Sequence, residues 1–154
     1  MRTALAWLGW VLLAFAPSLT AIWAPPGAWY DALAKPTWTP PDWVFPVVWT
    51  TLYAMMGTAA WLVWRASRTE GGGAYPLTLF LIQLVLNAAW TPFFFAAHEL
   101  LVALIVILAL WIAIAMTIFA FRKVSKLAAV LLVPYLAWVT LATALNHAIW
   151  RLNA

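Results

Sequence analysis

Residues 29–53 read WYDALAKPTWTPPDWVFPVVWTTLY, a run dense in tryptophan and proline that leads directly into an uncharged apolar helix. Its only charges are Asp31, Lys35 and Asp42. Prolines at 36, 40, 41 and 46 fix φ and remove backbone donors, so the chain stays extended or in turns until a helix can begin. A flexible linker would carry Gly and Ser instead. The pattern predicts a stiff aromatic lid over residues 25–42, with Trp29, Lys35, Pro36, Trp38, Pro40 and Pro41 as its residues.

Composition outside that stretch says what the lid covers. The chain is 68% hydrophobic and 8% charged, whereas a soluble domain carries about 25% charged residues. Charge-free stretches at 3–30, 43–64, 71–98, 100–121 and 127–150 can each hold the roughly 20 residues that a helix needs to cross hydrocarbon. Barrel strands would alternate over segments of about 10 residues, and no such alternation occurs. The expectation is a single all-α integral membrane domain over 1–154, a bundle of five transmembrane helices near 4–24, 43–66, 75–95, 100–121 and 127–150. The third and fourth should form a tight hairpin around His98-Glu99, and 65–74, with three glycines, a short flexible loop. No internal repeat points to an inverted-repeat transporter. The first span is read as a retained helix and not a signal peptide, because its apolar stretch is long and holds Pro17, Trp7 and Trp10. Without cysteine there is no disulfide framework or thiolate chemistry.

Orientation follows from the basic residues. Arg2, Arg65, Arg68, Arg122, Lys123 and Lys126 fall on the side of the N-terminus, and only Lys35 and Arg151 on the other, a six-to-two bias. By the positive-inside rule the N-terminus is expected in the cytoplasm of a bacterial cell, with the lid, the His98 turn and the C-terminus on the opposite face. Topology and anionic lipid account for the net charge of +4, so nucleic acid is not an expected partner.

Thirteen tryptophans are more than interfacial belts need. Trp49, Trp90, Trp111 and Trp138 are placed at depth. On the second helix Phe45, Trp49 and Tyr53 share a face at i, i+4, i+8; on the third, Gln83, Asn87, Trp90 and Phe94 do; on the fifth, Trp138, Ala142, Leu145 and Asn146 do, beside Pro134-Tyr135. One alternative is ordinary packing, with Gln83, Asn87 and Asn146 as interhelical hydrogen-bond glue. The other is a small-molecule pocket, since apolar walls with a few convergent polar groups are its usual form.

At these positions the chain resembles the TspO/MBR family, the tryptophan-rich sensory proteins of bacteria and the mitochondrial translocator proteins, or peripheral benzodiazepine receptors, as a bacterial-type member. Three motifs carry the resemblance: Trp29-Tyr30, Leu33, Lys35-Pro36, Trp38 and Pro40-Pro41; Gln83-Leu84, Asn87, Trp90 and Pro92; and Pro134-Tyr135, Trp138, Ala142-Thr143 and Leu145-Asn146. The resemblance implies a five-helix bundle, commonly a homodimer, with a pocket beneath the first loop that binds porphyrins and haem. It carries the pocket onto Phe45, Trp49, Tyr53, Asn87, Trp90, Trp138, Ala142, Leu145 and Asn146. The family analogy also admits an outer membrane. Two departures limit it. The animal cholesterol-recognition pattern needs a tyrosine where 145–151 has His147, so sterol binding is not carried over. Val102 and Val106 replace a tryptophan and an acidic residue of the animal fourth helix, so drug affinity is not carried over.

His98 and His147 lie on the lid side, but a histidine at a helix end is more often an interfacial polar group, and neither has Asp, Glu or Cys at metal-ligand spacing. No metal site is predicted, and no cofactor is required. No Ser-His-Asp set, carboxylate pair at depth or phosphate loop supports catalysis. The leading expectation is a receptor or sensor that binds protoporphyrin IX or haem. Lys35 or Arg151 is available to pair with propionates or to snorkel at the interface. The rival readings are a porphyrin oxidase driven by light and oxygen, with Trp49 and Trp138 as redox partners, and a translocator of tetrapyrrole or lipid.

Overall fold

The structure, a computed structural model, describes residues 2–70 and 72–154. Met1, Gly71 and the side chains of Arg2 and Glu70 lie outside the described residues, and with them the Arg2 part of the charge count and the Gly71 part of the 65–74 connection. Among the described residues every regular element is helical: α1 (Arg2–Ala14), α2 (Ser18–Trp23), α3 (Ala28–Ala32), α4 (Val44–Glu70), α5 (Ala74–Thr91) continued by a π-helical turn (Pro92–Ala96), α6 (Leu100–Val124) and α7 (Lys126–Asn153). Four of these, with the π turn counted into α5, are long and apolar enough to cross a membrane.

The first span, expected as one helix over 4–24, is divided. Pro17 has no N–H to continue the ladder, and the backbone tightens around it, with Ala16 N–H donating to Leu13 O at 3.1 Å and Ser18 N–H to Phe15 O at 2.9 Å. The Ser18 hydroxyl also donates to Phe15 O at 2.7 Å. The division redirects the chain: α1 packs along α4, whereas α2 packs against α5.

At the far end of α4 the expected loop is shorter than the sequence suggests. The helix runs to Glu70 because Ala66 to Thr69 carry no breaker and the two arginines lie over indole faces, Arg65 at 4.6 Å from Trp61 and Arg68 at 5.1 Å from Trp64. Of the described residues only Gly72 and Gly73 then separate α4 from α5. Gly72 has φ +78, a conformation that glycine adopts without strain. Gly73 sits where a Cβ would strike the Ser67 side chain.

The loop 25–42 is not extended throughout. It contains α3, which starts after Gly27 and seats Tyr30, 8% exposed, in a cluster with Phe94, Ala103, Leu145 and Ile149. The larger core cluster holds Met56, Val63, Phe80, Phe121 and Leu132. There α1 closes on α4: a Cβ at Gly57 would meet Val11 Cα and Trp10 O, the latter at 2.8 Å. Small residues at such crossings let backbones approach, which matters in lipid, where packing and hydrogen bonds hold helices together.

Candidate functional site

Between the two clusters lies a cavity of about 460 Å³, within the range of about 300–1,000 Å³ typical of ligand sites. Phe45, Trp49 and Tyr53 of α4, Asn87 and Trp90 of α5, and Trp138, Ala142, Leu145 and Asn146 of α7 all line it. The three helical faces named from periodicity therefore meet on one space. Gln83 does not; it lies one turn deeper.

Gln83 closes a buried polar chain. The Tyr53 hydroxyl donates to Asn87 Oδ1 at 3.2 Å, Asn87 Nδ2 donates to the Tyr135 hydroxyl at 2.8 Å, and that hydroxyl donates to Gln83 Oε1 at 3.0 Å. Tyr135 and Gln83 are each 1% exposed. Such a chain is worth building in an apolar interior only when its members satisfy one another. Gln83 Nε2 is the one atom of it left without a partner. Asn146 is likewise occupied: its Oδ1 accepts from Trp90 Nε1 at 3.0 Å and its Nδ2 donates to Leu100 O at 3.0 Å. The amides thus serve as interhelical glue, while Asn87 and Asn146 also border the cavity. Packing and pocket are not alternatives here.

The walls are aromatic. Trp49 stacks on Tyr53 with centroids 5.3 Å apart, and Phe45 stands edge-on to Trp138 at 5.6 Å. The Trp138 indole N–H is buried and has no hydrogen-bond partner. Among the described residues that line the cavity none is charged, and no histidine is present. Trp111, also placed at depth, instead faces outward and donates to Thr140 Oγ1 at 2.8 Å.

None of the six expected lid residues lines the cavity; that loop contributes Pro26 and Tyr30 instead. Trp29 stacks on His98 with centroids 4.0 Å apart and planes at 13°. Lys35 Nζ turns back on its own loop, donating to Asp31 O at 3.3 Å and Leu33 O at 3.4 Å and lying 4.4 Å from the Tyr30 ring centre. Pro36 accepts from Thr39 N–H at 3.0 Å and Pro41 from Val44 N–H at 3.0 Å, turns that lead into α4 beside Pro40. Trp38 is half exposed. Burial, and then the charges of Asp42 and Asp31, push the Tyr30 phenol above its ordinary pKa, so it stays a neutral hydroxyl. The loop is tied to the end of α7 by Asn153, whose Oδ1 accepts from Ala34 N–H at 3.0 Å and whose Nδ2 donates to Ala34 O at 2.9 Å.

The sequence reading missed the first-span wall, Phe15, Pro17, Ser18 and Ala21, and the α6 wall, Ile107 and Leu110. Pro17 was a signal for the first, since a proline inside an apolar run marks a break. Nothing distinguishes Ile107 and Leu110 from the other aliphatics of α6. The Asn153 clamp joins residues 119 positions apart, beyond the reach of any local pattern.

The profile of the TspO/MBR family matches residues 4–151. A tryptophan-rich sensory protein of Cereibacter sphaeroides is 44% identical over 138 residues, covering 90% of this chain and 85% of that protein. The tryptophan-rich protein TspO of Chlorobaculum tepidum is 47% identical over 133 residues, covering 83% and 82%. The human translocator protein is 47% identical over 130 residues, covering 81% and 75%.

Proposed function

The chain belongs to the TspO/MBR family of membrane sensors and translocators, and from that premise we propose that it is a membrane receptor that holds a tetrapyrrole in the cavity between α4, α5 and α7. The observation that carries the reading is the aromatic wall, Phe45, Trp49, Trp90 and Trp138 around one uncharged space of about 460 Å³. Flat rings gain both stacking and burial there. Protoporphyrin IX fits this donor set better than haem, because no histidine lines the cavity among the described residues and bound haem takes a proximal ligand.

The topology proposed with it is five crossings, α1 and α2 together forming the first. Arg65, Arg68, Arg122, Lys123 and Lys126 gather at one end of the helices and Lys35 and Arg151 at the other. That distribution supports a cytoplasmic N-terminus in a bacterial cell membrane, with loop 25–42 over the opposite mouth. A homodimer is part of the proposal on the family resemblance alone.

Titration of tryptophan fluorescence with protoporphyrin IX and with haem, in the dark and under illumination with product analysis, tests the reading. A receptor gives saturable quenching and returns the porphyrin intact under both conditions. Conversion of several equivalents of porphyrin to a distinct product in the light would favour the oxidase, for which Trp49 and Trp138 stand in the cavity wall. Absence of saturable quenching would remove the tetrapyrrole assignment.

A further inference from the structure

A second hollow lies on the outside of the bundle, between α4 and α7. It measures about 490 Å³ and is walled by Val47, Thr51, Met55, Pro134, Ala137 and Leu141. Val47 is 57% exposed and Leu141 36%, on two of the helices able to cross a membrane, so this groove opens where acyl chains lie. It shares one residue with the inner cavity, Trp138, which lines both. The indole is therefore the partition between bilayer and cavity.

Its setting is poor for a fixed core residue. Trp138 is only partly buried, yet its N–H is enclosed and unpartnered. A buried donor without an acceptor has lost its water and gained nothing in return. The closed position is thus less well satisfied than that of Trp90, whose N–H is held by Asn146, and turning the ring offers the donor to a passing acceptor. The cavity's described lining carries no charge, so the molecule that fits it best is one that already dissolves in hydrocarbon. The opposite mouth is obstructed: Tyr30 is packed into the second cluster and Asn153 clamps the loop.

We propose that uncharged, bilayer-dissolved ligands reach the cavity sideways, along the groove between α4 and α7, with the Trp138 indole as the gate. The proposal rests on the tetrapyrrole reading of the same cavity. It assigns the ionised propionates of a free porphyrin to the slow step, because carboxylates crossing the apolar groove lose their hydration.

The test uses the whole protein reconstituted in phosphatidylcholine vesicles, with protoporphyrin IX dimethyl ester as the uncharged probe and stopped-flow tryptophan quenching as the readout. Ala137 and Leu141 border the groove and not the cavity. Ala137→Phe narrows the groove and should slow association and dissociation together, by roughly threefold or more, while Leu141→Ala should speed both. A gate alters the barrier and not the end states, so the dissociation constant stays at the wild-type value, which also reports an intact fold. Wild-type rates in both variants, with wild-type affinity, overturn the gate and leave the receptor reading standing. Failure of the wild-type protein to bind either the ester or protoporphyrin IX overturns the receptor reading, and the gate with it.

Discussion

At the end of the bundle that holds Met56, Phe80 and Phe121 these side chains are fully buried, whereas at the end that holds Phe45, Trp90 and Trp138 equally large rings leave about 460 Å³ between them. Residue type does not make the difference, since both ends are aromatic and aliphatic. The path of the first span does. Below Pro17, α1 lies so close to α4 that only a glycine fits at position 57. From Pro17 on the chain leaves α4 for α5, and Pro17, Ser18 and Ala21 become cavity wall. A single break in a helix thus opens a cavity in an otherwise packed bundle. The Tyr53–Asn87–Tyr135–Gln83 chain runs along the boundary and fixes three helices there by hydrogen bonds.

The comparison breaks first at Gly57. Gly57→Leu drives a side chain into the α1 backbone, which cannot yield as a side-chain tip would, and should cost about 3 kcal/mol or more. Thermal unfolding followed by tryptophan fluorescence should show a much earlier transition; a wild-type transition would mean that α1 does not hold the solid end together. Tyr135→Phe is next. It strands Asn87 Nδ2 and Gln83 Oε1 in a buried site, at about 1–3 kcal/mol, while the cavity wall keeps its shape, because Tyr135 does not line it. Stability should fall with porphyrin affinity near wild type, and the reverse pattern would place Tyr135 in the site. Asn153→Ala is the smallest. Two exposed hydrogen bonds to Ala34 are lost, and stability should drop by no more than about 1 kcal/mol, with faster amide exchange confined to the loop around Ala34. Protection unchanged at Ala34 would show that the loop is held by Tyr30 and Trp29 alone.

The helices and the inward faces were legible because hydrocarbon imposes a simple rule on sequence: long uncharged runs, with the few polar groups turned toward protein. Asn87, Trp90, Trp138 and Asn146 could be placed on facing surfaces from spacing alone. The lid was less legible. Proline and tryptophan density announces rigidity but not position, and the rings of Trp29 and Trp38 stack on His98 or stand in the open while the less conspicuous Pro26 and Tyr30 face the cavity. Lys35 reads as a mouth cation, and its Nζ donates to backbone carbonyls two and four residues earlier. The extension of α4 to Glu70 was hidden by the glycines that follow it, which stop a helix only where they stand.

Ala142 offers the most direct test of the central claim that a tetrapyrrole occupies the hollow end. It lies one turn from Trp138 on the same face of α7 and borders the cavity, so Ala142→Phe fills space that a ligand would use. The measurement is an equilibrium quenching titration with protoporphyrin IX on wild-type and variant protein whose thermal unfolding has been matched. Affinity is predicted to fall by about tenfold or more, equivalent to about 1.4 kcal/mol, with the fold retained; an unchanged dissociation constant in the folded variant would contradict the account and put the porphyrin somewhere else on the molecule.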